Sequence, residues 1–208
     1  MKQKIVIFAN SVKHGNHCVA GKSIETKKWY RPVPSSDGGA LKDSQIRYFN
    51  NYGPQRSVKH LQIIIMDFTQ NVPLYFQPEN YEITDIPWQQ EYKIDLKDIS
   101  DYLDHPATLW GEGDSVESQL ILNHKVPVEQ SLYLIKTNQI KLERPVYGGK
   151  PHNKVSFVYN GIDYTLSCTD KNFDSLFNEN EVQNNKYLCI SLGEKFNNKH
   201  YKLVAGLI

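Results

Sequence analysis

The chain has 208 residues, of which 39% are hydrophobic, and a formal net charge of +1 at neutral pH. This length fits one domain or two small ones, and the balanced charge argues against a protein that coats nucleic acid non-specifically. Three cysteines without paired spacing, Cys18, Cys168 and Cys189, suit a reducing compartment rather than a secreted, disulfide-built protein. No stretch approaches the ~18 apolar residues of a membrane-spanning helix, so we expect a cytoplasmic protein that does not enter a membrane.

The N-terminal segment predicts a strand, a polar loop and a second strand. Residues 5–9 form a continuous apolar run of β-favouring types, and a polar loop is predicted after it, with turn residues at 13–16. The small residues at 18–21 would let another backbone or a ligand approach closely. Up to residue 34 there are seven Lys or Arg and one acid, with Trp29 among them. Such a mixture is typical of sites that hold phosphate and stack a base, and a solvated lysine surface is the alternative.

The middle of the chain predicts one strong strand and one helix. Residues 61–68 are the most apolar strand candidate, and shorter strands are predicted at 45–48 and, at a sheet edge, at 81–84. A helix is predicted at 95–103 from apolar residues that recur at helical spacing. Those residues are Leu96, Ile99 and Leu103. The first half is thus predicted to be a sheet with one helical insertion.

The second half of the chain predicts more strands. The clearest local signal is Asn160-Gly161, a two-residue hairpin turn flanked by alternating apolar residues. The other predicted elements are strands at 131–136, 141–146, 154–159, 162–167, 187–192 and 201–205, and a short helix at 173–177. Thr137 and Asn138 are predicted to form a turn between the first two strands, and residues 193–198 a loop between the last two. Many short strands with few helices indicate small barrels rather than parallel βαβ units.

Charge is distributed unevenly along the chain. Between Glu79 and Glu117 eleven acids face two lysines, whereas residues 120–160 carry a net charge of +4. An acidic centre between basic ends could repel polyanions from one face and admit them at another, and solvated surfaces explain it equally well. We place the boundary between two domains in this acidic segment, near residues 112–126.

A few polar side chains are candidates for ligand contacts or chemistry. Ser11 and Lys13 could hold one phosphate or carboxylate between them, and Ser11 could equally bond its own turn. Cys18 could be a nucleophile activated by Lys13 or His17, or a buried inert thiol. Glu194 could accept a hydrogen bond from a base or ribose, or pair with a neighbouring lysine.

Familiar catalytic and metal motifs are missing from the sequence. The run His14-x-x-His17-Cys18 offers three metal ligands, but no further ligand pair with recognisable spacing exists. A P-loop, a nucleotide-fold glycine motif and a Gly-x-Ser-x-Gly elbow are also absent. We therefore expect no metal and no cofactor, and the sequence does not decide whether the protein is an enzyme.

Several short motifs, spread over nearly the whole chain, together resemble the bacterial family called the dual OB-containing domain. In chain order they are Asn10-Ser11-x-Lys13, Cys18-x-Ala20-Gly21, Trp29-x-Arg31-Pro32, Leu109-Trp110-Gly111, Tyr164-x-Leu166-x-x-Thr169-Asp170, Ser191-Leu192-Gly193-Glu194 and Tyr201-Lys202-Leu203-Val204-Ala205. The resemblance implies two OB-type barrels and a role around nucleic acids or nucleotides in bacterial genome-conflict systems. It implies no catalytic assignment.

The strand pattern and the resemblance lead to one architecture. We predict an all-β fold, β-dominated with few short helices, made of two OB-like small barrels packed together. The N-terminal barrel, with an acidic helical insertion, is predicted at residues 1–115, and the C-terminal barrel at 125–208. OB barrels bind ligands on one sheet face between variable loops, so this fold fits a binding function.

Two functions from different classes remain open. The first is a module that binds single-stranded nucleic acid or a nucleotide, as part of a bacterial defence system and with a protein partner from the same operon. The alternative is an enzyme acting on nucleic acid or nucleotide, with Ser11, Lys13 and Cys18 near the chemistry. Lys13 and Arg31 are predicted to share one anion. The predicted ligand-binding residues are Asn10, Ser11, Lys13, Cys18, Lys22, Trp29, Arg31, Glu194 and Lys202.

Overall fold

Strands make up most of the chain and group into two units, residues 1–102 and 103–208. The structure is a computed structural model that describes residues 1–13, 15–55, 57–178 and 182–208. The predicted domain limits, 1–115 and 125–208, state that each of these two pieces folds independently of the other. They stay a prediction, which separate expression of the two pieces tests.

The first unit contains a barrel with an added sheet. Its elements within the described residues are β1 (Lys2–Lys13), β2 (Asn16–Ser23), β3 (Trp29–Val33), β4 (Tyr48–Asn50), β5 (Gly53–Gln55), β6 (Gln62–Asn71), β7 (Asn80–Ile83), β8 (Trp88–Lys93) and a 3-10 helix, Leu96–Tyr102. The barrel order is β1-β2-β3-β7-β6, and β6 pairs with β1 to close it. Strands β3 and β7 run parallel, and the other barrel pairs are antiparallel. Strands β8, β4 and β5 extend the sheet beyond β6.

Alternation of side chains explains the core of the first barrel. Along β6 buried residues alternate with half-buried ones, which directs Ile64, Met66 and Phe68 inward. They join a core cluster with Ile5 and Ile7 of β1, the apolar run that predicts the first strand. Both strands are therefore confirmed.

Three predictions for the first unit are wrong at least in part. The strand predicted at 45–48 begins as a turn, and only Tyr48 of it lies in a strand, β4. The polar loop expected after residue 9 begins later than predicted, because Asn10 and Ser11 continue the β1–β2 ladder. The turn predicted at residues 13–16 falls where β1 ends, at Lys13, and β2 begins, at Asn16. The strand expected at a sheet edge, 81–84, is β7, which lies between β3 and β6. The prolines that suggested an edge fall outside β7, so they leave its hydrogen bonds intact.

The helix predicted at 95–103 is a 3-10 helix, Leu96–Tyr102. A 3-10 helix has about three residues per turn, so Tyr102 lies on the same face as Ile99, and both are buried. Leu96, the first residue of the helix, is exposed. Of the predicted apolar face, only Ile99 is fully buried. The helices in the described part of the chain are not long and apolar enough to cross a membrane.

The second unit repeats the barrel. Its elements within the described residues are β9 (Ser115–Glu117), α1 (Ser118–Leu122), β10 (Leu132–Glu143), β11 (Val146–Tyr147), β12 (Lys150–Pro151), β13 (Lys154–Tyr159), β14 (Ile162–Cys168), α2 (Phe173–Leu176), β15 (Val182–Phe196) and β16 (Lys199–Leu207). The barrel order is β14-β13-β10-β15-β16, closed by a parallel pair of β14 with β16. Strand β9 adds to the outer edge of β16. Helix α1 has no counterpart among the predicted elements.

Both barrels share one topology. When the five barrel strands are counted along the chain, each barrel closes in the order 1-2-3-5-4, with strands 3 and 5 parallel. This is the Greek-key arrangement of an OB barrel. The predicted all-β fold with two OB-like barrels is confirmed. In the second barrel, strands 1, 2 and 3 are β10, β13 and β14.

One predicted turn in the second barrel is confirmed and another is wrong. Asn160 and Gly161 take positive φ values of 49° and 79° and join β13 to β14. Thr137 and Asn138 form no turn, because β10 continues through them. Thr137 is buried, and β10 pairs with β15 on both sides of this point, from Leu132 to Lys141, while its last residues, Ile140 to Glu143, also pair with β13. A barrel strand shared by two neighbours in this way must be long.

The loop predicted at 193–198 is also wrong. Strand β15 extends to Phe196, and only Asn197 and Asn198 form the turn to β16. Their φ values are 48° and 63°, which asparagine tolerates better than most residues. The two-residue turn closes a hairpin whose tip carries the exposed side chain of Phe196.

Candidate ligand-binding site

Three of the predicted site residues contact one another on the wall of the first barrel. Ser11 Oγ donates a hydrogen bond to the Cys18 carbonyl oxygen at 3.4 Å. Arg31 Nη1 donates to Cys18 Sγ at 3.2 Å, and its Nη2 donates to Glu79 Oε1 at 3.4 Å. Arg31 is only 4% exposed, so its charge is neutralised inside the unit by Glu79.

Lys22 and Trp29 lie together in a second buried group. Lys22 Nζ donates to the Tyr102 carbonyl oxygen at 2.8 Å and lies 5.0 Å from the centre of the Trp29 ring. The Trp29 ring packs edge-on against Phe8, 6.1 Å between centres. These contacts fasten the 3-10 helix to β2 and β3.

The remaining predicted residues of the first unit have separate environments. Asn10 Nδ2 donates to Ser57 Oγ at 3.0 Å and to the Val58 carbonyl oxygen at 2.7 Å. The side chain of Lys13 lies outside the described part of the structure, so the anion shared by Lys13 and Arg31 stays a prediction.

The histidine-cysteine run has no described metal cluster. His14 lies outside the described residues, and His17 hydrogen-bonds with Asp43. Among the residues that the structure describes, no group of three or more His, Cys, Asp or Glu side chains is arranged to hold a metal ion.

The two predicted residues of the second unit lie in different settings. Glu194 is exposed near the end of β15. Lys202 is 1% exposed, and its Nζ donates to the carbonyl oxygens of Gly111, Glu112 and Gly113 at 2.7, 2.9 and 3.0 Å. Burial lowers the pKa of Lys202 to about 8, and Asp114 opposes this shift. Lys202 therefore holds the 111–113 loop on the barrel.

A different surface of the second barrel has the features of a binding face. Alternation along β10, β13 and β14 buries one row of side chains and leaves the other on the outside of the barrel. Cross-strand pairing aligns the outward side chains into two rows, which we call the polar face. Its residues are Lys141, Ser156 and Thr165 in one row, and Glu143, Lys154 and Ser167 in the other.

A cavity of about 670 Å³ opens on the polar face. Its walls are formed by the end of β10 and the segment that follows β10. Phe177, which follows helix α2, completes them. Its lining residues are Lys141, Leu142, Glu143, Arg144, Pro145, Tyr147, Lys154, Thr165 and Phe177. Three cations, one carboxylate and two aromatic rings thus surround one space.

Arg144 is held in a fixed orientation at this cavity. Its guanidinium lies 4.5 Å from the centre of the Phe177 ring and 5.3 Å from that of Phe173. Its Nε donates to Asn153 Oδ1 at 2.9 Å, and its Nη2 forms an ion pair with Asp174. A planar guanidinium held in this way is suited to a phosphate or carboxylate at the cavity rim.

Sequence reasoning did not identify the polar face. Two signals were present, the net charge of +4 in residues 120–160 and the alternating hairpin around Asn160. Strand alternation alone predicts that Lys154 and Ser156 share a face. It cannot predict that Phe177, beyond the next strand and helix, completes the cavity.

Comparison with known proteins gives one match and one absence. A family model described as a dual OB-containing domain matches residues 3–207 of the chain. The matched region runs from β1 to β16, so the description covers both barrels. A search of curated proteins found no match.

Proposed function

Because the chain belongs to the dual OB-containing domain family, we propose that it binds single-stranded nucleic acid or nucleotides on the polar face of its second barrel. OB barrels often bind oligonucleotides on the face of strands 2 and 3 and on the neighbouring loops. The cavity lies on this face, and its combination of cations and aromatic rings is the observation that carries the proposal.

Each group at the cavity has a role in such binding. Lys154 and Arg144 supply positive charge for phosphates, and contact with phosphate is the main source of affinity for nucleic acid. Tyr147 is 61% exposed, so its ring is accessible for stacking on a base. Phe177 is half-buried and adds an apolar wall.

We expect Tyr147→Ala to weaken binding of a fluorescent oligonucleotide of ~12 nucleotides about tenfold, because one stacked base contributes roughly 1–3 kcal/mol. Lys154→Ala is expected to weaken binding and to reduce the slope of log Kd against log salt by about 0.7, the value for one phosphate contact on a single strand. Fluorescence anisotropy at several salt concentrations measures both effects.

Matched controls come from the first unit. Tyr52 is 93% exposed, and the Lys97 side chain is 77% exposed beside Asp95. Tyr52→Ala and Lys97→Ala remove the same groups from residues that do not line the cavity, and they are expected to leave binding unchanged. If all four variants bind like the parent protein at low salt, the polar face is not the binding site.

The biological setting is part of the proposal. The family resemblance supports a role in a bacterial genome-conflict or defence system, with a protein partner from the same operon. The three cysteines, which all lie in the described part of the chain, are not joined in disulfides, and this fits the cytoplasm. Co-purification of the tagged chain with the products of neighbouring genes tests the partner.

A second candidate function is an enzyme that acts on nucleic acid or nucleotide around Ser11, Lys13 and Cys18. The observation that favours it is the contact of the Arg31 guanidinium with Cys18 Sγ at 3.2 Å, since cations beside a thiol promote nucleophilic chemistry. Cys18 is also half-buried, unlike the other two cysteines.

A thiol reagent distinguishes the two candidates. At neutral pH we expect native Cys18 to react at least about tenfold faster than Cys168, because burial raises the pKa of Cys168 to about 12 and removes its thiolate. Cys18→Ser is expected to abolish the fast phase. Modification of Cys18 without any effect on oligonucleotide binding or processing would leave only the binding function.

A further inference from the structure

On the basis of the proposed function, we propose that the cavity on the polar face selects guanine. In this proposal the Glu143 carboxylate accepts hydrogen bonds from the two adjacent N–H groups of the base, at N1 and at the 2-amino group. The ligand is a guanine nucleotide unit, either free or within a single strand.

Glu143 is the feature of the cavity that phosphate binding does not explain. A carboxylate between Lys141, Arg144 and Lys154 weakens attraction of a polyanion, so a simple phosphate-binding surface would omit it. A carboxylate is, however, the side chain that accepts hydrogen bonds from the N–H groups of a base.

The carboxylate is oriented by two neighbours. Lys141 Nζ donates to Glu143 Oε1 at 3.0 Å, and Ser156 Oγ donates to Oε2 at 2.6 Å. Ser156 is itself 2.9 Å from Thr165 Oγ1 across the sheet. Each carboxylate oxygen can accept more than one hydrogen bond, so both oxygens can still accept a hydrogen bond from a ligand.

The charge state of Glu143 suits this role. The hydrogen bond from Ser156, followed by that from Lys141, lowers the pKa of Glu143. At neutral pH its carboxylate is therefore ionised, and it acts solely as a hydrogen-bond acceptor.

Among the common bases only guanine matches a pair of adjacent acceptors. It presents two neighbouring N–H donors on its Watson–Crick edge. Adenine and cytosine each place one amino donor beside a ring nitrogen acceptor, and uracil and thymine place one N–H between two carbonyl oxygens. Those acceptors would face a carboxylate oxygen and be repelled.

The cavity has room for a nucleotide and groups for its other parts. Its volume of about 670 Å³ lies within the range of pockets for small ligands. The exposed ring of Tyr147 is available for the face of the base, while Arg144 and Lys154 supply charge for phosphate.

Competition experiments test the inference. Guanosine, inosine, adenosine, cytidine and uridine monophosphates are titrated against a bound fluorescent oligo(dT), and a second arm compares oligo(dT) strands that contain one G, A or C. We expect the guanine ligand to bind about tenfold tighter than the others, the usual discrimination of one bidentate base contact. Inosine monophosphate, which keeps N1–H and lacks the 2-amino group, is expected to fall between.

Variants of the carboxylate make the test specific. Glu143→Gln is expected to reduce the guanine preference to less than about twofold, because one acceptor becomes a donor. Ser156→Ala, which keeps the carboxylate but frees its orientation, is expected to reduce the preference partly. Glu117→Gln is the matched control, because Glu117 forms a similar exposed ion pair with Lys199 at 3.3 Å in the same unit. Thermal unfolding confirms that each variant is folded.

The outcomes separate this inference from the proposed function. Binding of oligonucleotides without base preference, or a guanine preference that survives Glu143→Gln, overturns the guanine site and leaves the binding function standing. Failure of every ligand to bind overturns both. A preference seen with strands but not with free nucleotides supports the inference and identifies nucleic acid as the source.

Discussion

Replacement of Gly21 by alanine is expected to lower the free energy of unfolding by about 3 kcal/mol or more, among the largest effects of a single methyl group. A Cβ atom at this position would lie 2.0 Å from the Val6 carbonyl oxygen and 2.7 Å from Ile5 Cγ2. The oxygen belongs to the backbone of β1, which pairs with β2 and β6 in a closed barrel. It cannot move away unless strand pairing breaks.

Chemical denaturation of the variant measures this loss. Gly53→Ala is the matched control, because a Cβ there meets no atom within 4 Å although φ is +101°. Only backbone strain is expected at Gly53, about 1–2 kcal/mol. Equal stability of the two variants would show that the barrel adjusts to the added methyl group.

The second large effect is expected at Lys202. Lys202→Ala is predicted to lower the free energy of unfolding by about 3–5 kcal/mol, because it removes a buried donor from three carbonyl oxygens at once. Those carbonyls converge because Gly111 and Gly113 take φ values of 92° and 69°. Water cannot easily replace the ammonium, since the site is buried.

The control for Lys202 lies on the same strand. The side chain of Lys199 is 43% exposed and pairs with Glu117, so Lys199→Ala is expected to change stability by less than about 0.5 kcal/mol. Lys202→Met keeps most of the apolar stem and separates loss of charge from loss of packing. A Lys202→Met variant as stable as the parent would rule out the carbonyl contacts as a source of stability.

The same lysine gives a pH dependence. Its pKa is lowered from 10.5 to about 8 in the folded chain, so between these values the unfolded chain binds more protons. Stability of the parent therefore rises with pH in this window, relative to Lys202→Met, by about 2 kcal/mol between neutral pH and roughly pH 10. Parallel denaturation curves for the two proteins measure the difference, and a constant difference would contradict the lowered pKa.

Local patterns in the sequence were sufficient for the architecture. The Asn160-Gly161 turn and the apolar alternation of β13 and β14 follow from residue types a few positions apart. The small residues at 18–21 indicated a close approach, and β1 makes it at Gly21. The family motifs, which are also short, identified both barrels.

Strand length was harder to predict because it depends on distant partners. Residues 137–138 and 193–196 have turn-like composition, but they remain in strands since β10, β15 and β16 continue to pair through them or next to them. Hydrogen bonds to a neighbouring strand outweigh weak local preferences of a few tenths of a kcal/mol each.

The sequence by itself determined the fold class, the Asn160-Gly161 turn and the residue types that a ligand would need. The tertiary structure alone decided which of those residues are accessible. Arg31 meets Glu79, which is 48 positions away, and Lys22 meets Tyr102, which is 80 positions away, so both cations are buried. Conversely, Lys141 and Phe177 line one cavity only after the strands between them, β11 to β14, have folded. The type of a charged residue does not show whether its side chain is buried or exposed, because burial depends on contacts with residues far along the chain.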